Sequence, residues 1–534
     1  MDEPGKHLFL RPPDGCPEHS SLHRRIATVK HIARSTLVVA IFFGLEKVLG
    51  FARHFLVARQ FGLSAELDAY NAANNLPDLL FMLISGGALA MAFIPVLTET
   101  RQKAGQEAAW QVFSYVLNLL FLVTASLSVL IALFAGQLVR SQVGIVPGFS
   151  IEQQGVVVDL MRLNLIGTLL LSLGGLAVAG LQSNQHFWLP AIALSLYDLG
   201  GLVGVVFLAP LSGYQLSGLR LPALGWGVYG LVSGTILGAL LYFLIQIPGL
   251  IRYRFRWNAG FGLKDARVLK SLNLMAPRVL TMLFIQLTFI AQDNLASRLS
   301  SGSITALAYG WLFFQVPETL IGTALGTVLL PTLAEQAVLQ DRQAFQQTLE
   351  KSLKVILALT IPLIALLIVV IRPAVTIFNF GSAGENLVVW TARVYMLGLL
   401  GHSLLEVAVR AFYAQQDART PLISAALTSL AFILLGILFY RPFGAAGIAL
   451  ANVVAFSGQA FVLWGLLYRQ RQMGWLMGGT LGRALIAALL CAAIPGLLFS
   501  LSQSTLVMAI LAGTLGVLVL ILLALPEIKI LLRL

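Results

Sequence analysis

Residues 117–136 read LNLLFLVTASLSVLIALFAG, twenty consecutive positions without a charge. A helix rises about 1.5 Å per residue, so this run covers about 30 Å, the thickness of a bilayer's hydrocarbon core. The rest of the chain has the same character. Of its 534 residues, 58% are hydrophobic and 11% charged, and mean hydropathy is +0.86. A soluble domain carries about 25% charge. The deficit excludes a soluble enzyme, a nucleic-acid binder and a disordered scaffold. The two cysteines, Cys16 and Cys491, supply neither a disulfide framework nor zinc-ligand spacing.

Working outward from that run predicts an all-α polytopic membrane protein with about 14 spans. They lie near 33–60, 67–97, 109–138, 155–182, 187–210, 223–250, 268–297, 304–334, 351–378, 386–413, 418–440, 445–468, 480–502 and 505–530. Residues 1–30, with Pro4, Pro12, Pro13 and Pro17, read as a cytoplasmic tail rather than a cleavable signal. With both termini inside, most Lys and Arg fall in the tail, the inside loops or the C-terminus. The loop near 251–267 is the longest and most basic of these. Arg140, Arg220, Arg298, Arg372 and Arg441 fall outside. This bias supports the register, so most of the +12 net charge is topology.

Three short echoes recur in order. Pro95-Val96-Leu97-Thr98-Glu99 matches Pro331-Thr332-Leu333-Ala334-Glu335, with Ala69-Tyr70 and Ala308-Tyr309 earlier in each. Asn184-Gln185 and Gln415-Gln416 each precede a proline. Gly225-Trp226-Gly227 and Gly444-Ala445-Ala446 open spans six and twelve. Six spans is an even number, so the copies share an orientation. The expected architecture is two six-helix pseudo-repeats forming an N-lobe (31–252) and a C-lobe (253–470) around a central cavity, with two extra C-terminal helices (471–534). A rigid duplicated bundle without transport fits the same repeat.

Charge inside a bilayer faces a cavity or a partner. Span one carries Glu46, Lys47, Arg53 and Arg59. Span two carries Asp68, Asn71, Asn75 and Asp78, spaced 3, 4 and 3 and therefore on one helical face. If the turn centres near residues 60–61, Arg53 and Asp68 lie at similar depth and are expected to pair, with Lys47 deeper, near Asn74. A cation, an ion pair and several amides suit an anionic, hydrogen-bonding headgroup. A purely structural polar seam fits the same residues. In the second half, Asp293, Asp417 and Glu406 are candidates for a cation or coupling site. Glu406 and Arg410 also have the spacing of an ordinary helical pair, and His402 reads as a packed residue. Gly86-Gly87, Pro77, Pro95, Pro317 and Pro331 permit bends in spans two and eight.

Three segments carry a family resemblance. Lys47-Val48-Leu49-Gly50-Phe51-Ala52-Arg53 continues through Val57-Ala58-Arg59-Gln60-Phe61-Gly62 to Asp68-Ala69. Leu76-Pro77 continues through Gly87-Ala88 to Ala92-Phe93-Ile94-Pro95. Gly326-Thr327-Val328-Leu329-Leu330-Pro331 is the third. With the layout of spans, the chain resembles the MurJ (MviN) family of lipid II flippases, within the superfamily of multidrug, oligosaccharidyl-lipid and polysaccharide exporters. The resemblance implies a multi-pass protein of the bacterial cytoplasmic membrane, not an enzyme, acting in cell wall biogenesis. It implies an undecaprenyl-diphosphate-linked substrate flipped by alternating access and admitted between spans one and eight, with a tail groove at spans thirteen and fourteen. Membrane lipids and the cell-wall synthesis machinery are the implied partners. No cofactor is implied beyond coupling to a monovalent cation or the membrane potential. Headgroup contacts are expected on Lys47, Arg53, Asp68, Asn75 and Arg278, and of these Arg53 and Asp68 match family positions. Phe81 and Leu312 stand where many members carry arginine, leaving Arg278, Arg393 or Arg410 to substitute. Another polyprenyl-linked glycan, or a small molecule exported against an ion, remains an alternative substrate. A membrane enzyme does not, since no paired-carboxylate motif, P-loop or His cluster is present.

Overall fold

The computed structural model describes residues 41–84, 88–216, 219–471, 478–501 and 506–531; the 1–30 tail and Gly86-Gly87 lie outside these. Among the described residues the fold is all-α apart from one antiparallel pair of two-residue strands, Gln215–Leu216 with Leu219–Arg220. Among the described residues nine helices are long and apolar enough to cross a membrane, or ten if one pair bent by 44° is a single span.

Helix α1 covers 41–61. It turns through Gly62 into α2 (Ala65–Ala73), whose first turn is capped by the Ser64 hydroxyl. Helix α3 (Asn75–Ile84) follows at a break on Asn74. Pro77 explains the break: it has no N–H for the Ala73 carbonyl and its ring crowds that turn. Then come α4 (Ala88–Arg140), α5 (Ile151–Ser183), α6 (Trp188–Val203), α7 (Val228–Leu244) and the short α8 (Ile247–Arg252). The second half holds α9 (Ala266–Ala296), α10 (Ser303–Glu318), α11 (Ala324–Val338), α12 (Arg342–Thr376), α13 (Gly381–Leu397), α14 (Leu399–Ala414) and α15 (Arg419–Arg471). Helices α16 (Gly478–Leu501), α17 (Leu506–Leu523) and α18 (Leu525–Leu531) close the chain. Of the expected prolines, Pro317 is followed by a widened turn over Thr319–Thr323. Pro331 stays inside α11.

Helices α4 to α7 pack on one another, as do α9 to α15, while α16 and α17 pack on α12 and on each other. One apolar core runs through both halves. It includes Leu67, Val146 and Leu231 from the first, and Ile304, Tyr395 and Phe432 from the second.

Two of the sequence echoes share a backbone. Gln185 and Gln416 both take a left-handed conformation, φ 57° and 60°. The amide following each returns to the carbonyl five residues earlier, His186 to Leu181 and Asp417 to Phe412. Gly227 (φ 56°, ψ −134°) and Gly444 (φ 60°, ψ −141°) are likewise a pair. The register of this echo is therefore Gly227 on Gly444, two residues from the Gly225–Gly444 match expected from sequence. That backbone region is essentially open only to glycine. Gly444→Ala is expected to cost about 1–3 kcal/mol, seen as a lower midpoint in detergent thermal unfolding. Gly465→Ala, in open space within the same helix, should change stability by no more than about 0.5 kcal/mol.

Candidate functional site

The polar stripe of span two does not line a headgroup cradle as a unit. It binds the two halves together. Asp68 is 1% exposed, and its oxygens accept from Gly302 N (2.6 Å), Thr305 N (2.7 Å) and Thr305 Oγ1 (2.6 Å). It thus supplies the side-chain cap that α10 lacks at its own N-cap residue, Gly302. A carboxylate there also faces the positive end of the helix dipole. Asn71 Nδ2 donates to Thr305 Oγ1 at 3.1 Å, and Asn75 Nδ2 to Asp293 Oδ2 at 2.6 Å. Three of the four stripe residues therefore reach across to α9 and α10. Loops join in at the same end. Asn294 Nδ2 donates to Gly144 O at 2.6 Å, and Gly148 N donates to Ser297 Oγ at 3.2 Å.

The expected Arg53–Asp68 pair is not formed, because α10 claims Asp68. Arg53 instead meets Asp198 of α6, Nη2 to Oδ1 3.5 Å, and lies over the Tyr197 ring at 5.7 Å from its centroid. Gly201 makes room: a Cβ there would sit 2.6 Å from Arg53 Cδ. In the sequence Asp198 is a lone carboxylate in an apolar run, and nothing local ties it to Arg53.

Arg53 lines a cavity of about 260 Å³. Its wall includes Tyr70, Asn74, Asp78, Asn164, Tyr197 and Tyr309. Asn164 Nδ2 donates to Asn74 Oδ1 at 2.7 Å, and Tyr309 OH to His54 O at 2.8 Å. The Ala-Tyr echo thus contributes Tyr70 and Tyr309 to one chamber. Asp78, the fourth stripe residue, is on the cavity wall instead. Leu312, at the arginine position of the family pattern, is also on the wall. The chamber is polar and close to charge-balanced, less cationic than an anionic ligand alone would demand.

The other expected residues are placed as follows. Lys47 has a side chain 81% exposed and pairs with adjacent Glu46 at 3.3 Å. It sits on α1 six residues before Arg53, about 9 Å along the axis. The Arg278 side chain lies outside the described residues. Arg393 and Arg410 do not substitute on the cavity wall: Arg393 Nε donates to Ile368 O at 2.9 Å, and Arg410 pairs with Glu406. The three carboxylates proposed for a cation do not converge. Asp293 is bonded to Asn75. Asp417 caps α15 through Arg419 N, Thr420 N and Thr420 Oγ1. Contacts of Ser429 with Phe284 and of Gly436 with Leu295 set α9 and α15 running the same way. Asp417 therefore lies some 25 Å from the level of Asp293. His402 is packed, 4.8 Å from the Phe456 ring centroid and bonded to Asn452 Oδ1 at 3.2 Å. Among the described residues no group of three or more His, Cys, Asp or Glu could hold a metal ion.

Comparison with known proteins agrees with this architecture. Residues 57–516 match the family model described as lipid II flippase MurJ. A lipid II flippase MurJ of Burkholderia cenocepacia is 31% identical over 460 residues, covering 84% of this chain and 86% of that protein. A probable lipid II flippase MurJ of Vibrio cholerae is 27% identical, covering 83% of each. A solved structure of lipid II flippase MurJ in an inward closed conformation superposes with a TM-score of 0.74 at 24% identity. It covers 92% of this chain and all of that one. An inward-facing multidrug resistance MATE family transporter of the MOP superfamily gives a TM-score of 0.67 at 14% identity, covering 81% and 98%. These two structures establish likeness of fold.

Proposed function

The chain belongs to the lipid II flippase MurJ family, and from that premise we propose that it flips a diphosphate-linked peptidoglycan precursor from the inner to the outer leaflet. One observation carries the mechanism: at one end of the Arg53 chamber the buried Asp68 caps α10 across the halves, while at the other end Lys270 and Glu99 also meet across them, in an exposed ion pair. A chamber closed on one side is what alternating access requires of each of its states. With the termini inside, that sealed end is the outer one.

In this reading the chain has fourteen spans in a six, six and two arrangement. Helix α4 has 53 residues, about 80 Å if continuous, and is broken at Gly105 (φ 85°). Helix α15 is equally long and broken at Gly444. Each is then two spans. The paired backbone turns at Gln185 and Gln416, and at Gly227 and Gly444, support a parallel duplication. The inner approach suits a lipid. Leu45, Val48 and Phe51 of α1, and Val316, Leu320 and Val328 near α10 and α11, are exposed apolar residues on the two elements proposed as the lateral gate. The headgroup enters there, Lys47 meets it first, and Arg53, Tyr70 and Asn164 offer donors deeper in. The polyprenyl tail stays in lipid, with α16 and α17 offered as its groove.

The test is complementation of cells depleted of their own lipid II flippase, with membrane insertion checked. Growth restored by this chain is the expected result. Failure of well-expressed, correctly inserted protein would overturn the substrate assignment in favour of another polyprenyl-linked glycan.

A further inference from the structure

A second cleft, of about 490 Å³, lies outside the chamber on the lipid-facing side of the bundle. Its apolar wall is made by two helical stripes. Leu287 and Ile290 lie on α9, and Ile433 and Ile437 on α15. Leu287 and Ile437 are 38% and 55% exposed. From Leu287 to Arg298, at the mouth, is eleven residues, about 16 Å of helix. That is half of a hydrocarbon core about 30 Å thick, so the cleft has the depth of one leaflet.

The mouth is basic. Arg298 lines it, beside Tyr440. Arg441 follows directly, its Nε donating to Tyr440 OH at 2.8 Å and its guanidinium lying over that ring. Arg140 stands two residues before Gln142, whose carbonyl accepts from Arg298 Nη2 at 3.1 Å. Among the described residues none of these three arginines has a carboxylate within salt-bridge distance. They are three of the five basic residues that the topology places outside. A tail-shaped groove one leaflet deep, opening on unneutralised guanidinium groups, has the form and charge of a lipid with an anionic headgroup.

We propose that this cleft binds an anionic phospholipid of the outer leaflet, with an acyl chain along Leu287 and Ile433 and the phosphate on Arg298 and Arg441. The leaflet rests on the orientation given under Proposed function. The site spans both halves: Gln142 belongs to the α4–α5 loop and Asn294 to α9, and Asn294 Nδ2 donates to Gln142 O at 3.0 Å. A lipid seated here touches both halves and therefore favours the state in which they meet at this end.

The experiment places the full chain in nanodiscs of phosphatidylcholine with one-fifth phosphatidylglycerol and counts retained phosphatidylglycerol by native mass spectrometry. Arg298→Gln should lower its apparent affinity about fivefold, and Arg298→Gln with Arg441→Gln about 25-fold. Leu287→Trp should block retention by filling the groove. Arg372→Gln, whose arginine pairs with Glu385 elsewhere, should retain lipid as wild type does. Equal retention by all variants would overturn the site. So would undecaprenyl phosphate displacing phosphatidylglycerol in competition, which would make the cleft a polyprenyl site. Binding is read without transport, so failure of flipping leaves this result standing. Val143→Cys, in a background lacking Cys16 and Cys491 and at a position 90% exposed on the rim, reports orientation. Labelling by an impermeant reagent from outside is expected, and labelling from inside would overturn the leaflet.

Discussion

Asp68→Ala is expected to open the outer seal and abolish transport while leaving the protein inserted. The carboxylate accepts three hydrogen bonds, two of them from the first amides of α10. Hydrogen bonds to a charged acceptor contribute about 1.5–3 kcal/mol each, and buried donors left unpaired add a penalty. Truncation should therefore weaken the closed state by at least about 3 kcal/mol, more than a hundredfold in the ratio of closed to open. A Leu312→Cys reporter on the chamber wall, in a background lacking Cys16 and Cys491, reads this directly. In the Asp68→Ala protein an impermeant thiol reagent added outside should label it at least tenfold faster. Asp68→Asn keeps one acceptor and should lie between. Unchanged labelling together with full transport would show that the seal does not gate the chamber.

The second large effect is expected at Arg53. Arg53→Ala leaves Asp198, whose side chain is 6% exposed, without its cation inside the membrane. Breaking a buried pair by removing one partner costs about 3–5 kcal/mol, so this variant should both insert poorly and lose transport. The double variant Arg53→Ala with Asp198→Asn separates the two causes. It removes the uncompensated charge, so membrane yield and thermal midpoint should return close to wild type. Transport should stay at least a hundredfold down, since the chamber then has no described cation on its wall. Arg53→Lys keeps the charge without the planar fork and should retain partial activity. A double variant with wild-type flux in a leaflet-accessibility assay would reduce Arg53 to a structural residue.

Legibility differed by level. The membrane class and the turn residues were readable because each depends on local chain properties: twenty apolar residues, a proline that removes a donor, a glycine that alone tolerates φ near 60° with ψ near −140°. The 3, 4, 3 spacing correctly put Asp68, Asn71 and Asn75 on one face. It could not say what that face would meet. Depth counting from a hairpin paired Arg53 with Asp68, since it considers only neighbours along the chain. In the fold each found a partner far away in sequence: Asp68 the bare N-terminus of α10, and Arg53 the carboxylate of Asp198.

What the sequence alone determined is that this chain must live in a bilayer, and that its few intramembrane charges need partners, because neither hydrocarbon nor lone charge can be solvated otherwise. Which partners they take was decided only by the tertiary structure. Pairing across 145 to 237 residues depends on how whole helices pack, and no periodicity within one helix encodes that. The same stripe that reads as a binding surface in one dimension is, in three, the seal between two halves.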